Sequence, residues 1–158
     1  MTTTLPVPVA FALPDGWEPG DPDAVGAPGA AFIARHPEPD DGYFATIAVD
    51  GAPLELTLVD VADRSVRDLG AGGSAALRER AEAGSAEVPG LTQTVVLVAD
   101  VGGARRDLVQ DQAYVLFPAA AGGRVWVRAV LTATAGQHGE RVGDFRRFVA
   151  SLEHDRSR

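Results

Sequence analysis

Arg124-Val-Trp-Val-Arg-Ala-Val-Leu-Thr-Ala-Thr-Ala135, a short Gly136-Gln-His-Gly139 link, and Glu140-Arg-Val-Gly-Asp-Phe-Arg-Arg-Phe-Val-Ala-Ser-Leu152 together decide the fold. The first segment alternates. Val125, Val127, Ala129, Leu131 and Ala133 share one face, and Arg124, Trp126, Arg128, Val130 and Thr132 share the other. A period of two predicts a strand. In the second segment Val142, Phe145, Val149 and Leu152 recur at helical spacing, and Phe148 widens the stripe. Arg146, Arg147 and His154 fall toward its end, where cations complement the helix dipole. The expectation is a long strand feeding a C-terminal amphipathic helix, with Phe145 and Leu152 buried against the sheet.

Upstream of this unit, two further strands precede it in hairpin succession. Thr94 to Val101 is apolar and β-branched, Gly102-Gly103 is a hairpin signal, and Arg105 to Phe117 alternates. On the last of these, Val109, Ala113, Val115 and Phe117 share a face with Asp111, opposite Leu108, Gln110, Gln112, Tyr114 and Leu116. Ala120 to Gly123 reads as a second hairpin turn.

Thr57 to Leu69 changes period. Leu58, Ala62, Val66 and Leu69 lie on one helical face, Thr57 with Asp60 resembles a capping box, and Asp60–Arg64 and Asp63–Arg67 are i,i+4 pairs. Gly70-Ala-Gly-Gly73 breaks that helix. Ser74 is placed to cap a second short helix over Ala75 to Ala83, with Pro89-Gly90 as a turn. The first 42 residues hold eight of the 11 prolines, so strands there are short or interrupted. Three are expected in the N-terminal part, Val9–Leu13, Ala31–Arg35 and Tyr43–Asp50. A loop runs from Glu18 to Gly29, and Trp17 folds back onto the core. Hairpins with segregated helices define an α+β class, with an antiparallel sheet of about six strands in one domain spanning residues 1–158.

Composition narrows function by exclusion. The chain has no cysteine, which removes disulfides, zinc-thiolate sites, Fe–S clusters and thiol catalysis. It has no lysine, which removes Schiff bases and P-loop lysines. A net charge of -8 argues against nucleic acid as a partner. No run approaches the roughly 18 apolar residues of a membrane span. The N-terminus lacks the charged and apolar regions of a signal peptide, so the cytoplasm is the default compartment.

Motifs with chemical potential each have a simpler reading. Gly70-Ala-Gly-Gly-Ser-Ala75 fits G-x-G-x-x-A, but a helix rather than a strand precedes it, so it reads as a helix break. His36 with Glu38, Asp40 and Asp41 has the composition of a metal loop, yet Pro37, Pro39 and the lack of a second nearby His favour a solvated loop, and no metal is expected. His138 and His154 read as exposed or capping. Asp111 on an apolar face needs a partner, for which Arg128 is a candidate. No G-x-S-x-G occurs, and no catalytic constellation or cofactor is indicated.

A binding signal lies in Gln110, Gln112 and Tyr114 on one strand and Trp126 and Arg128 on the next. If those faces coincide, they form a sheet surface of amides, aromatics and a guanidinium, residue types enriched at interface hot spots. The alternative is that the first third of the chain covers them.

Phe11-Ala-Leu-Pro-Asp-Gly-Trp17 resembles the F-x-x-P-x-G-W opening of the PsbP-like α/β/α sandwich superfamily. Val130-Leu-Thr-Ala-Thr134 with Phe145…Phe148-Val-Ala-Ser-Leu152 resembles its closing strand and helix, and Phe32–Arg35 and Ala45–Val49 fit the strands between. The resemblance covers residues 9–153 and is nearest to the LpqN-like branch of actinobacteria. It implies a binding protein without a shared catalytic set. That superfamily includes photosystem accessory proteins, a Ran-binding nuclear-import factor, lipoproteins and chaperones of secreted effectors. The chain departs from the exported lipoproteins in lacking a signal peptide and a lipobox cysteine. The expected function is a non-enzymatic protein-binding module, an adaptor or chaperone of a secretion or envelope system. Its partner is another protein, and a homodimer is compatible with the sequence. The alternative is a small-ligand or metal-binding domain using a sheet-face pocket built from Tyr114, Trp126, Arg128 and the acidic loop.

Overall fold

The computed structural model describes residues 5–23, 29–71 and 73–155. The chain forms β1 (Val9–Ala10), β2 (Glu18–Gly20), β3 (Phe32–Arg35), β4 (Thr46–Pro53), α1 (Leu58–Ala71), β5 (Ser74–Gly84), β6 (Pro89–Val101), β7 (Ala104–Pro118), β8 (Arg124–Thr134), α2 (Ala135–Ser151) and β9 (Glu153–His154). Seven strands make one antiparallel sheet in the order β2-β3-β4-β8-β7-β6-β5, and β1 pairs with β9 in a separate ribbon that joins the two ends of the chain.

The alternation in β8 places its two faces as its residues dictate. Val125, Val127, Ala129, Leu131 and Ala133 are buried in a core with Ile47 and Val49 of β4 and Phe145 and Phe148 of α2. Trp126 and Arg128 face the other side, toward α1. Both glycine hairpins form. Gly102 and Gly103 have φ of 57° and 82°, and Gly122 and Gly123 have 92° and 76°, the left-handed values these turns need. Trp17 is buried, and its indole N–H donates to Asp144 Oδ2 at 3.0 Å. The F-x-x-P-x-G-W stretch is therefore a turn, closed by Trp17 N–H to the Pro14 carbonyl, that pins the N-terminus to α2.

Several expectations are corrected. Ala75 to Ala83 is not a helix but most of β5. Its Ala, Leu, Arg and Glu favour helix intrinsically, but pairing with β6 from Ser74↔Val98 to Gly84↔Pro89 overrides that preference. The hairpin turn lies at 85–88, where Ser85 N–H donates to the Val88 carbonyl, and Pro89 opens β6, a position that needs no ladder donor. Glu18–Gly20, expected as loop, is the short edge strand β2. β2 and β5 join the sheet while the strand expected over Val9–Leu13 shortens to Val9–Ala10 and pairs with β9 outside it, so about six strands become seven. Gly136-Gln-His-Gly139 is not a link but the first turn of α2. Thr134 caps it: its hydroxyl accepts from Gln137 N–H at 3.1 Å, and Gln137 Oε1 accepts from Thr134 N–H at 3.0 Å. Leu152 is only half-buried, and the central apolar contact of α2 is Phe148, fully buried alongside Phe145.

Phe148 thus carries the docking of α2. Phe148→Ala should lower unfolding free energy by about 3–5 kcal/mol, the usual cost of a Phe-sized cavity. Urea denaturation monitored by tryptophan fluorescence measures it, and an unchanged midpoint would contradict the docking.

Candidate functional site

The two strands that carry the candidate binding residues pair as the face argument requires. Tyr114 lies opposite Arg128, Leu116 opposite Trp126, and Gln110 opposite Thr132. All five candidates therefore share the α1 side of the sheet. The structure then divides them. Gln112 and Tyr114 are each 1% exposed and lie beneath the sheet-facing side of α1, Gln110 is half-buried, and Trp126 and Arg128 are half-buried at the helix margin. The cover is α1, not the first third of the chain.

Beneath α1 the polar groups form one continuous network. Gln112 Nε2 donates to Ser65 Oγ at 2.9 Å, and Gln112 Oε1 accepts from Tyr114 Oη at 2.8 Å and from Gln93 Nε2 at 2.7 Å. Gln93 Nε2 also donates to the Ala62 carbonyl, and Gln93 Oε1 accepts from Arg80, whose Nη1 pairs with Asp63 Oδ1 at 2.8 Å. At the other end Arg128 Nη1 donates to Ser65 Oγ at 3.0 Å, and Arg128 grips Asp50 through Nε at 2.8 Å and Nη2 at 2.5 Å. A buried amide or hydroxyl without a partner costs about 1–3 kcal/mol, so this network is what permits polar residues under a helix. It also changes how the helix is held. Of α1 only Ala62 and Ser65 are fully buried, with Leu58 and Val61 partly buried against Leu91 and Tyr114, so directional hydrogen bonds supplement a small apolar contact.

Arg128 is the charged centre. Burial pulls its pKa down, but the hydrogen bonds and charge of Asp50 outweigh burial and hold it above the ordinary arginine value. Its guanidinium lies 5.7 Å from the Trp126 ring centroid and 6.0 Å from that of Tyr114. Sequence reasoning pairs Arg128 with Asp111, but the two lie on opposite faces. The partner of Asp111 is His138 in the first turn of α2, at 2.6 Å, and the Thr94 hydroxyl donates to its other oxygen. His138 is therefore neither exposed nor a cap. Thr94 bonds to the carboxylate and not to the imidazole, so this cluster does not follow the nucleophile–base–acid order of a hydrolase triad. His154 is half-buried in β9 and packs on Phe117 at 5.8 Å.

The solvent-facing part of the site is a cleft of about 330 Å³ between α1 and the end of β4–β8, lined by Leu56, Asp60, Val61, Arg64, Trp126 and Arg128 among others. Leu56 also lines a wider hollow of about 680 Å³ with Leu58, Val59 and Leu116. Leu56 is 63% exposed and Val59 47%.

The acidic loop does not join this site. Asp40 accepts from the Thr134 hydroxyl at 2.6 Å, Asp41 and its carbonyl meet Arg106, and Glu38 meets Arg141. His36 is buried edge-on against Trp17. Tyr43 beside the loop has its pKa raised by burial, opposed by the charge of Arg106. The loop serves the start of α2, at the Thr134 end of β8, eight residues from Trp126 and so roughly 26 Å along the strand. A pocket combining it with Tyr114, Trp126 and Arg128 is not formed. Among the described residues, no three His, Cys, Asp or Glu side chains are grouped to hold a metal ion.

Asp50, Ser65, Gln93 and Arg80 escape sequence reasoning. Gln93 leaves a signal, a polar residue among Leu91, Val95 and Leu97 on one face of β6. Asp50 becomes visible only through its register opposite Arg128.

No protein-family model matches the chain, and no curated protein matches its sequence. Solved structures do match. The fold is the PsbP-like α/β/α sandwich: the cyanobacterial PsbP (CyanoP) from Synechocystis superposes with a TM-score of 0.61 at 17% identity, covering 93% of this chain and 86% of that one. LpqN, involved in cell envelope biogenesis of Mycobacterium tuberculosis, is a structural relative with a TM-score of 0.64 at 11% identity, covering 91% of this chain and 81% of its own. The Ran-binding protein Mog1p of Saccharomyces cerevisiae matches with a TM-score of 0.56 at 10% identity, covering 92% and 89%. No helix among the described residues is long and apolar enough to cross a membrane.

Removing one half of the Asp50–Arg128 pair leaves a largely desolvated charge. Asp50→Ala should destabilise the fold by about 2–3 kcal/mol, the magnitude of a hydrogen-bonded charge lost from a part-buried site. Adding Arg128→Met should recover part of the loss, because it removes the orphaned charge and supplies apolar volume. Urea midpoints of the single and double variants measure both effects.

Proposed function

We propose that this chain is a non-enzymatic protein-binding module, an adaptor or chaperone for a secretion or envelope system, and that its contact surface is the cleft margined by α1. The observation that carries the reading is the exposed Leu56 beside the half-buried indole of Trp126 in the cleft, with the exposed Val59 in the adjoining hollow that Leu56 also lines. Exposed large apolar side chains grouped around an aromatic are what a partner's hot spot covers. Trp126 and Arg128 belong to the surface as lining groups, whereas Gln112 and Tyr114 hold α1 in place and Gln110 supports Gln112 from the sheet. The cleft carries Glu55, Asp60 and Asp68 against Arg64 and Arg128, and Arg128 is already paired with Asp50. A segment with an apolar anchor and a basic residue suits this balance. LpqN's involvement in envelope biogenesis and Mog1p's binding of Ran supply the precedent for a binding role on this fold. The compartment assigned is the cytoplasm, with the envelope as the rival location that cell fractionation decides.

The surface can be disabled without removing a hydrogen bond of the network. Leu56→Asp with Trp126→Ala should leave the cooperative melt nearly unchanged and weaken capture of the native protein partner by at least ~2 kcal/mol, a hot-spot magnitude. Affinity capture with quantified recovery, wild type against double variant, makes the comparison. Equal recovery of the same partner by both would place the contact elsewhere.

A further inference from the structure

We propose that β5 is a self-complementary edge through which two copies of this chain join their sheets, antiparallel, about a dyad at Ala81. The two edges of the sheet differ sharply. β2 is three residues long and contains Pro19, so it offers little to a ladder. β5 is 11 residues long, ends the sheet, and is exposed along almost its whole length. A strand in that position presents a row of backbone donors and acceptors.

The ladder tells which groups face outward. Ser85 N–H donates to the Val88 carbonyl at 3.0 Å, so bonding toward β6 alternates back along the hairpin through Ala83, Ala81 and Glu79. The backbone groups of Arg80, Glu82 and Gly84 then point to the open edge. A β-bulge between Leu77 and Glu79 breaks the regular run on the other side. Regular pairing is thereby confined to residues 79–84.

Charge selects the register. Joining two sheets about an axis normal to them keeps each face with its own kind, so side chains of the α1 face must meet side chains of the α1 face. A dyad at Arg80 sets Arg80 against Arg80, and a dyad at Glu82 sets Glu82 against Glu82; like charges directly opposite are destabilising. A dyad at Ala81 sets Arg80 against Glu82 twice, with the small Ala81 meeting its own copy on the axis and Glu79 meeting Ala83. Arg80 and Glu82 lie on the α1 face, since their partners across the hairpin are Gln93 and Leu91. Arg80 spends three donors on Gln93 and Asp63 and, of the five a guanidinium carries, keeps two for the partner's Glu82. Charges that merely guard an edge carry no such match. The contact is small, so the dimer is weak, with a Kd between about micromolar and about millimolar.

The test is a charge exchange followed by sedimentation velocity of the full chain at low salt. Wild type should pass from monomer to dimer between about 1 µM and about 1 mM. Glu82→Arg and Arg80→Glu should each stay monomeric over that range. An equimolar mixture of the two should dimerise again, because both cross-strand pairs about the dyad then join a guanidinium on one variant to a carboxylate on the other. Should Arg80→Glu fail to fold for want of its Asp63 and Gln93 contacts, Glu82→Pro replaces it. That variant removes an outward N–H at an edge that tolerates proline, and the dimer should be lost. A wild type that stays monomeric, including one whose edge serves a strand of a different protein, overturns the proposal. So does a dimer that survives Glu82→Arg or Glu82→Pro.

Discussion

The guanidinium of Arg128 sits over the middle of a seven-stranded sheet, and the α1 side of the molecule is arranged around keeping it paired. β8 lies between β4 and β7 and gives its entire opposite face to the core. The alternation that buries Val127 and Ala129 therefore forces Arg128 outward onto the other face. A charge there is tolerable only with a carboxylate in register, and β4 supplies Asp50 directly opposite. From that pair the polar groups propagate through Ser65 to Gln112, Gln93 and Arg80.

The two helices are consequently held by different physics. α2 inserts Phe145 and Phe148 into the main core, each worth roughly 1.5–3 kcal/mol of burial. α1 fully buries only an alanine and a serine, packs the partly buried Leu58 and Val61 against Leu91 and Tyr114, and adds hydrogen bonds worth about 1 kcal/mol each. An element with few buried apolar contacts belongs to the low-stability end of a fold. The proposed contact cleft with Trp126 and Leu56 lies along this helix.

The sequence exposes the apolar side of this design far better than the polar side. β8, β7 and the Phe145/Phe148 stripe are legible because burial on one face imposes a period, and Gly102-Gly103 marks its turn through backbone conformation. β5 is misread because Ala, Leu, Arg and Glu carry a helical preference that pairing with β6 overrides. The network is only half legible. Gln112 and Tyr114 are visible as polar residues on a strand, but whether they meet solvent or Ser65 depends on where α1 lands. The pairing of Asp111 with His138 instead of Arg128 depends on the faces of two distant elements. Such facts are set by register and packing, which no local pattern encodes.

Native-state hydrogen exchange tests most directly whether α1 is a cover held by a polar network over a rigid sheet. Amides of α1 from Ala62 to Leu69 should exchange through an opening of lower free energy than that of β8 and of α2 around Phe148, which should exchange only with global unfolding. Asp50→Ala should lower the α1 value most. If α1 instead shows the same opening free energy as β8, and Asp50→Ala shifts both alike, the helix is an integral part of the core and the account is wrong.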